Sequence, residues 1–120
     1  MPHIITKPTV CICGSRTITN LNLDNYIDSS TLGAVITGGA AGIDTLAEWW
    51  AKKHKLEWVC YLPNYKIFGR AAPLKRDEDM VKASDKLIAF WDGQSTGTKY
   101  TIDFARKLGK QVEIHLIYDW

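Results

Sequence analysis

Several short stretches of this sequence place glycines, hydroxyls and cations directly after apolar, β-branched runs. Gly14-Ser15-Arg16 follows one such run. A glycine there permits a tight turn and close backbone approach. Ser15 offers a hydroxyl, and Arg16 offers a planar fork that suits a phosphate. A plain turn carrying a solvated arginine is the competing reading. Thr37-Gly38-Gly39-Ala40-Ala41-Gly42-Ile43-Asp44 follows a second run. Its exposed N–H groups lead into a helix start, a combination that favours an anion. It matches neither the dinucleotide fingerprint nor the P-loop, and Asp44 also suits a helix cap.

A third stretch, Pro63-Asn64-Tyr65-Lys66-Ile67-Phe68-Gly69-Arg70, interleaves aromatic and cationic residues. A base or similar ring can stack on Tyr65 or Phe68, although loop aromatics also fold onto cores. Arg76 precedes the acidic run Asp77-Glu78-Asp79, which reads as a solvated charged face. Arg76 itself is expected to point into a cleft. Last comes Trp91-Asp92-Gly93-Gln94-Ser95-Thr96-Gly97-Thr98. Ser95, Thr96 and Thr98 can donate to phosphate oxygens beside a helix dipole, and a capped helix start is the alternative. His3, His54 and His115 are scattered without metal-ligand spacing, so no metal and no cofactor are expected.

The elements that must position these residues alternate. Strands are expected at Thr9–Cys13, Ala34–Thr37, Glu57–Leu62, Lys86–Trp91 and Gln111–Ile117. Helices are expected at Leu21–Ser30, Ile43–His54, Leu74–Ser84 and Thr98–Leu108, with Asn64–Pro73 as a loop. Ile43, Leu46, Ala47, Trp50 and Ala51 form a helical stripe. Gly109 suits a helix C-terminus. Strands apolar on both faces and alternating with helices indicate a parallel sheet covered on each side. In such sheets ligands bind beyond the carboxyl ends of the strands. All the stretches above fall there.

Composition agrees with a globular α/β domain. The chain has 120 residues, 46% hydrophobic and 23% charged, with a formal charge of +2. That length suits one domain, residues 1–120. The charge is too mild to argue for nucleic acid. Three cysteines, Cys11, Cys13 and Cys60, form neither a disulfide framework nor a zinc pattern. No apolar run reaches the ~20 residues of a membrane span, and the N-terminus lacks the pattern of a signal peptide. The expectation is a cytoplasmic protein without a membrane partner. Five tryptophans need places. Trp50 belongs to the apolar stripe. Trp49 lies off it, which suggests a partner surface and a homodimer or higher homo-oligomer.

Taken together, Gly14-Ser15-Arg16, Thr37 to Asp44, Pro63, Gly69, Ala71 to Arg76, Met80, Ala83-Ser84-Asp85, Ala89 to Gly93 and Ser95 to Thr98 resemble the small stand-alone YspA-like members of the SLOG superfamily. The superfamily is named for Smf/DNA processing protein A and the LONELY GUY enzymes. The resemblance runs from about Thr9 to Val112. It implies a single Rossmann-like three-layer domain with a five-stranded parallel sheet in the order 3-2-1-4-5. It also implies a nucleotide or nucleotide-derived ligand, such as an ADP-ribose-like molecule or a cyclic nucleotide.

Three branches of that superfamily are relevant. LONELY GUY enzymes cleave the N-glycosidic bond of nucleoside monophosphates, and their pattern is echoed by Arg76, Met80, Ser84-Asp85 and Gly97-Thr98. Thr101, however, stands where the resemblance places a catalytic glutamate. Asp44 and Asp103 are the carboxylates that remain as weak catalytic candidates. The DNA processing branch, which binds single-stranded DNA, shares Ala40-Ala41-Gly42-Ile43-Asp44. Its members usually carry Arg-Asn where this chain has Arg76-Asp77, and the mild charge argues against a nucleic-acid partner. The sensor branch fits a small domain without the glutamate. The expectation is therefore a sensor or sequestering module for a nucleotide-like small molecule. Phosphates would be held by Gly38, Gly39, Ala40, Gly42, Thr96, Gly97 and Thr98, with Arg16 and Arg76 neutralising charge. Tyr65, Phe68, Trp91 and Asp92 would meet base or ribose. The alternatives are a nucleoside-phosphate N-glycosidase and single-stranded DNA binding.

Overall fold

Each strand begins where the β-branched runs place it, and every strand crosses the sheet in the same direction. The computed structural model describes residues 6–118, so His3 and Trp120 lie outside the described residues. The strands are β1 (Thr9–Gly14), β2 (Ala34–Thr37), β3 (Glu57–Cys60), β4 (Lys86–Trp91) and β5 (Gln111–Leu116). They form one five-stranded sheet in the order β3-β2-β1-β4-β5, parallel at every pairing. The fold is the expected three-layer α/β arrangement. Val10–Cys13 of β1 and Leu87–Phe90 of β4 are wholly buried, as strands covered on both faces must be.

The helices are α1 (Ile43–Lys53), α2 (Tyr65–Phe68), α3 (Ala72–Ala83) and α4 (Thr96–Lys107). On one face, Ile43, Ala47, Trp50 and Ala51 of α1 pack on Val10, Val35 and Phe90. On the other, Met80 and Val81 of α3 and Ile102 and Ala105 of α4 pack on Cys11, Ile36, Leu87 and Ala89. Burial pushes the Cys11 and Cys13 thiols far above their ordinary range, so both behave as small apolar side chains.

Five expected elements differ. Leu21–Ser30 is not an α-helix but two 3-10 turns, Leu23–Asn25 and Ser29–Thr31. The Asn22 and Asp28 side chains each accept an N–H two residues on, at 3.1 and 3.0 Å, and these local bonds compete with helical pairing. Leu23, Ile27 and Leu32 still reach the core. Asp24 fastens this segment to α1 by accepting from Trp50 Nε1 at 2.7 Å. The Asn64–Pro73 loop contains α2 and a 3-10 turn at Gly69–Ala71, and α3 begins at Ala72. Asn64 caps α2 by accepting the Ile67 N–H at 3.2 Å. Lastly, β3 stops at Cys60 and α4 starts at Thr96, two residues away from the expected bounds.

Candidate functional site

A crevice of about 530 Å³ opens beyond the carboxyl ends of β1, β2 and β4, where the chain reverses its direction of winding. It is lined by Gly14-Ser15-Arg16 after β1, by Ala40 and Asp44 at the start of α1, and by Asp92 and Ser95–Thr98 between β4 and α4. From α3 come Pro73, Arg76, Asp77 and Met80. Those four recur at helical spacing and so share one face of α3. Thr101 of α4 completes the wall. A second, smaller hollow of about 230 Å³ adjoins it, sharing Arg16, Ala40 and Arg76 and adding Gly38, Gly39, Ala41, Pro63 and Tyr65.

Backbone constraints account for two of the glycines. Gly42 has φ +75°, and a Cβ there would lie 2.6 Å from the Ser15 carbonyl oxygen. The turn into α1 is thus pressed against the loop after β1. Gly38 is also confined: a Cβ would come 2.9 Å from an Asp44 oxygen and 3.0 Å from the Arg76 guanidinium. Its absence lets that cation reach the backbone.

Arg76 is only 8% exposed. Its Nε donates to Asp77 Oδ1 at 2.7 Å, and its Nη1 donates to the Gly38 carbonyl. The residue therefore does more than face the cleft; it neutralises α3's own carboxylate and ties α3 to the turn after β2. Asp77 was read as part of a solvated acidic face. Instead it is half-buried, accepting also from the Thr101 hydroxyl at 3.3 Å. Burial raises its pKa, and the neighbouring Arg76 opposes that rise. This is the functional candidate that sequence reasoning missed. The spacing of Pro73, Arg76, Asp77 and Met80 was the signal available for finding it.

Asp44 is not the N-cap of α1, which is Gly42. Its Oδ2 reaches back to accept the Ala40 N–H at 3.1 Å. Burial pushes its pKa up to about 6 from 3.8, against the pull of the Ala40 N–H and Arg76. Thr45 Oγ1 donates to the Ala40 carbonyl at 3.0 Å, so both sides of Ala40 are fixed. Arg16, by contrast, is exposed and has no hydrogen-bond or ion-pair partner among the described residues.

Other candidates have structural duties. Ser15 is 1% exposed; its Oγ accepts the Asp92 N–H at 3.1 Å and its N–H donates to the Phe90 carbonyl at 3.1 Å. It stitches two loops together. Asp92 Oδ1 accepts the Gln94 and Ser95 N–H groups at 2.8 and 2.7 Å, which holds its carboxyl below the usual range. Ser95 caps α4 through the Thr98 N–H at 3.4 Å. Trp91 packs on the core and donates from Nε1 to the Ser95 carbonyl at 3.0 Å, so it braces this loop and does not line the crevice. Tyr65 lines the smaller hollow. Phe68 lines neither space and lies 5.9 Å beneath Lys75 Nζ. Asp103 is exposed on α4, paired with Lys99 at 3.0 Å, and stands away from the crevice. Trp49 is 63% exposed. Trp58 packs at the core margin beneath Lys52, 4.8 Å from its ring. Among the described residues no helix is long and apolar enough to cross a membrane.

No family model matches the chain. The Gene 61 protein of Mycobacterium phage D29 is similar in sequence, 33% identical over 81 residues. That match covers 62% of this chain and 65% of the phage protein, so the chain spans just under two thirds of that relative. The backbone is similar to DNA processing protein A from Streptococcus pneumoniae, with a TM-score of 0.68 at 15% identity. The likeness covers 90% of this chain and 50% of that one. At such low identity it speaks to fold, and it agrees with the Rossmann-like α/β topology described above.

Proposed function

We propose that this protein binds a phosphate-bearing, nucleotide-type small molecule in the crevice, as a sensor or sequestering module. One observation carries the reading: Arg16, a cation without a hydrogen-bond or ion-pair partner among the described residues, lines both hollows. The crevice has the volume of a small-molecule site, which commonly spans ~300–1,000 Å³. Backbone N–H groups at the start of α1 and the deep guanidinium of Arg76 add to the attraction for an anion. The test is calorimetric titration of wild type and Arg16→Ala with ribonucleotides and ADP-ribose. Because Arg16 is exposed and makes no hydrogen bond or ion pair among the described residues, the variant should fold normally and bind at least ~10-fold more weakly, the scale of one charged hydrogen bond. Unchanged affinity would sink the assignment.

A specific contact favours a second reading, hydrolysis of an N-glycosidic bond. The Asp77 carboxylate touches Thr101, the position where the resemblance places a catalytic glutamate. A carboxylate of raised pKa at that point supplies the acid–base group that Asp103 does not. Release of free base from nucleoside monophosphates, lost in Asp77→Asn with binding retained, would support this reading.

A further inference from the structure

The two loop-to-helix junctions have different chemistry. At the start of α4 the protein supplies its own anion: Ser95 Oγ takes the Thr98 N–H and the Asp92 carboxylate takes those of Gln94 and Ser95, leaving the Thr96 and Gly97 N–H groups beside that carboxylate. An incoming phosphate would have to displace that carboxylate or sit against its charge. At the start of α1 the cap is Gly42, which has no side chain to offer. The Ala40 N–H is claimed by Asp44, and the Ile43 N–H by the Ser15 carbonyl at 3.5 Å. The N–H groups of Ala41 and Gly42 have no acceptor among the described residues.

The two hollows differ in the same sense. The smaller is lined by both arginines, and no carboxylate lines it. The larger is lined by Asp44, Asp77 and Asp92. Arg76, nine-tenths buried, has Nε and Nη1 committed, which leaves Nη2 without a protein partner among the described residues. It lines both hollows, so it is within reach of a ligand in either.

Resting on the nucleotide-binding reading, we propose that the site is one-ended: the ligand's phosphate sits in the smaller hollow, on the turn before α1 between Arg16 and Arg76, and α4 takes none. The remainder of the ligand extends into the larger hollow, where Asp77 and Thr101 receive neutral donors such as sugar hydroxyls. A ligand with anionic charge at both ends would bring its second charge against Asp77 and Asp92. The preferred class is thus a compound that carries its negative charge at one end and hydroxyls at the other.

The experiment is backbone amide NMR of the full chain, titrated with the four common ribonucleosides, their 5′-monophosphates and their 3′,5′-bisphosphates. Shifts seen with a monophosphate but not its nucleoside locate the phosphate. They should fall on Gly39, Ala41 and Gly42, and should vanish in Arg16→Ala. Gly97, Thr98 and Thr101 should respond to the nucleoside part alone. The 3′,5′-bisphosphate should bind at least ~10-fold more weakly than the 5′-monophosphate. Phosphate-dependent shifts on Gly97 and Thr98 with the 5′-monophosphate, or a 3′,5′-bisphosphate that binds equally well, would overturn the one-ended site and leave nucleotide binding standing. No response at any crevice amide to any of these compounds would overturn both.

Discussion

Asp44→Asn is the substitution whose effect on stability the structure specifies most fully. The wild-type carboxylate is 6% exposed, and burial is the main reason its pKa rises from 3.8 to about 6. Because the folded value lies above the unfolded one, protonated Asp44 favours folding fully below about pH 3.8. That contribution is lost as the pH climbs through about 6. A rise from 3.8 to about 6, at about 1.4 kcal/mol per pH unit, amounts to about 3 kcal/mol. Asparagine does not ionise and keeps a side-chain oxygen for the Ala40 N–H. It also removes a negative charge near Asp77, which acts in the same direction. Urea unfolding of both proteins at a series of pH values isolates this effect, since the other titrating groups are shared. The stability difference should move by about 3 kcal/mol in favour of the variant between low and neutral pH, with the change centred between the two pKa values. A difference that stays constant across the series would refute the reasoning.

Three further substitutions probe the frame of the site. Gly14→Ala would place a Cβ 2.6 Å from Ile43 Cγ1, and should cost about 1–3 kcal/mol in thermal or urea unfolding, the usual price of overpacking. Arg76→Ala leaves Asp77 half-buried without its cation and should destabilise the fold by about 3–5 kcal/mol in the same assay, so Arg16 is the cleaner probe of binding. Gly97→Ala meets no protein atom within 4 Å and should raise stability by about 0.5–1 kcal/mol, while its methyl group narrows the crevice and weakens ligand binding in calorimetry.

The central strands were legible because a parallel sheet buried on both faces leaves continuous apolar runs such as Val10 to Cys13 and Leu87 to Phe90. The α1 stripe was legible because its apolar residues recur at helical spacing. The first crossover misled because Leu23 and Ile27 lie four apart, as in a helix, while the decisive groups are the short polar side chains of Asn22 and Asp28. The loops that hold the site were legible from their glycines and hydroxyls. The division of labour within them was not. Whether a serine or aspartate faces a ligand or an N–H of its own loop depends on geometry, and Ser15, Asp92 and Ser95 are all engaged by backbone. Asp77 was hidden by its neighbours: Glu78 and Asp79 made a buried carboxylate look like one more charge on a wet surface.

The bond from the Asp92 N–H to Ser15 Oγ joins residues 77 positions apart. Its two ends are made at opposite ends of translation. While the ribosome is extending β2 and β3, Ser15 has no Asp92 to meet, and the crevice lacks the wall built from α3 and α4. A ligand bound as proposed would thus meet a complete site only after synthesis has passed Thr101. Such a ligand could hold a nascent chain folded only once four of the five strands have been made.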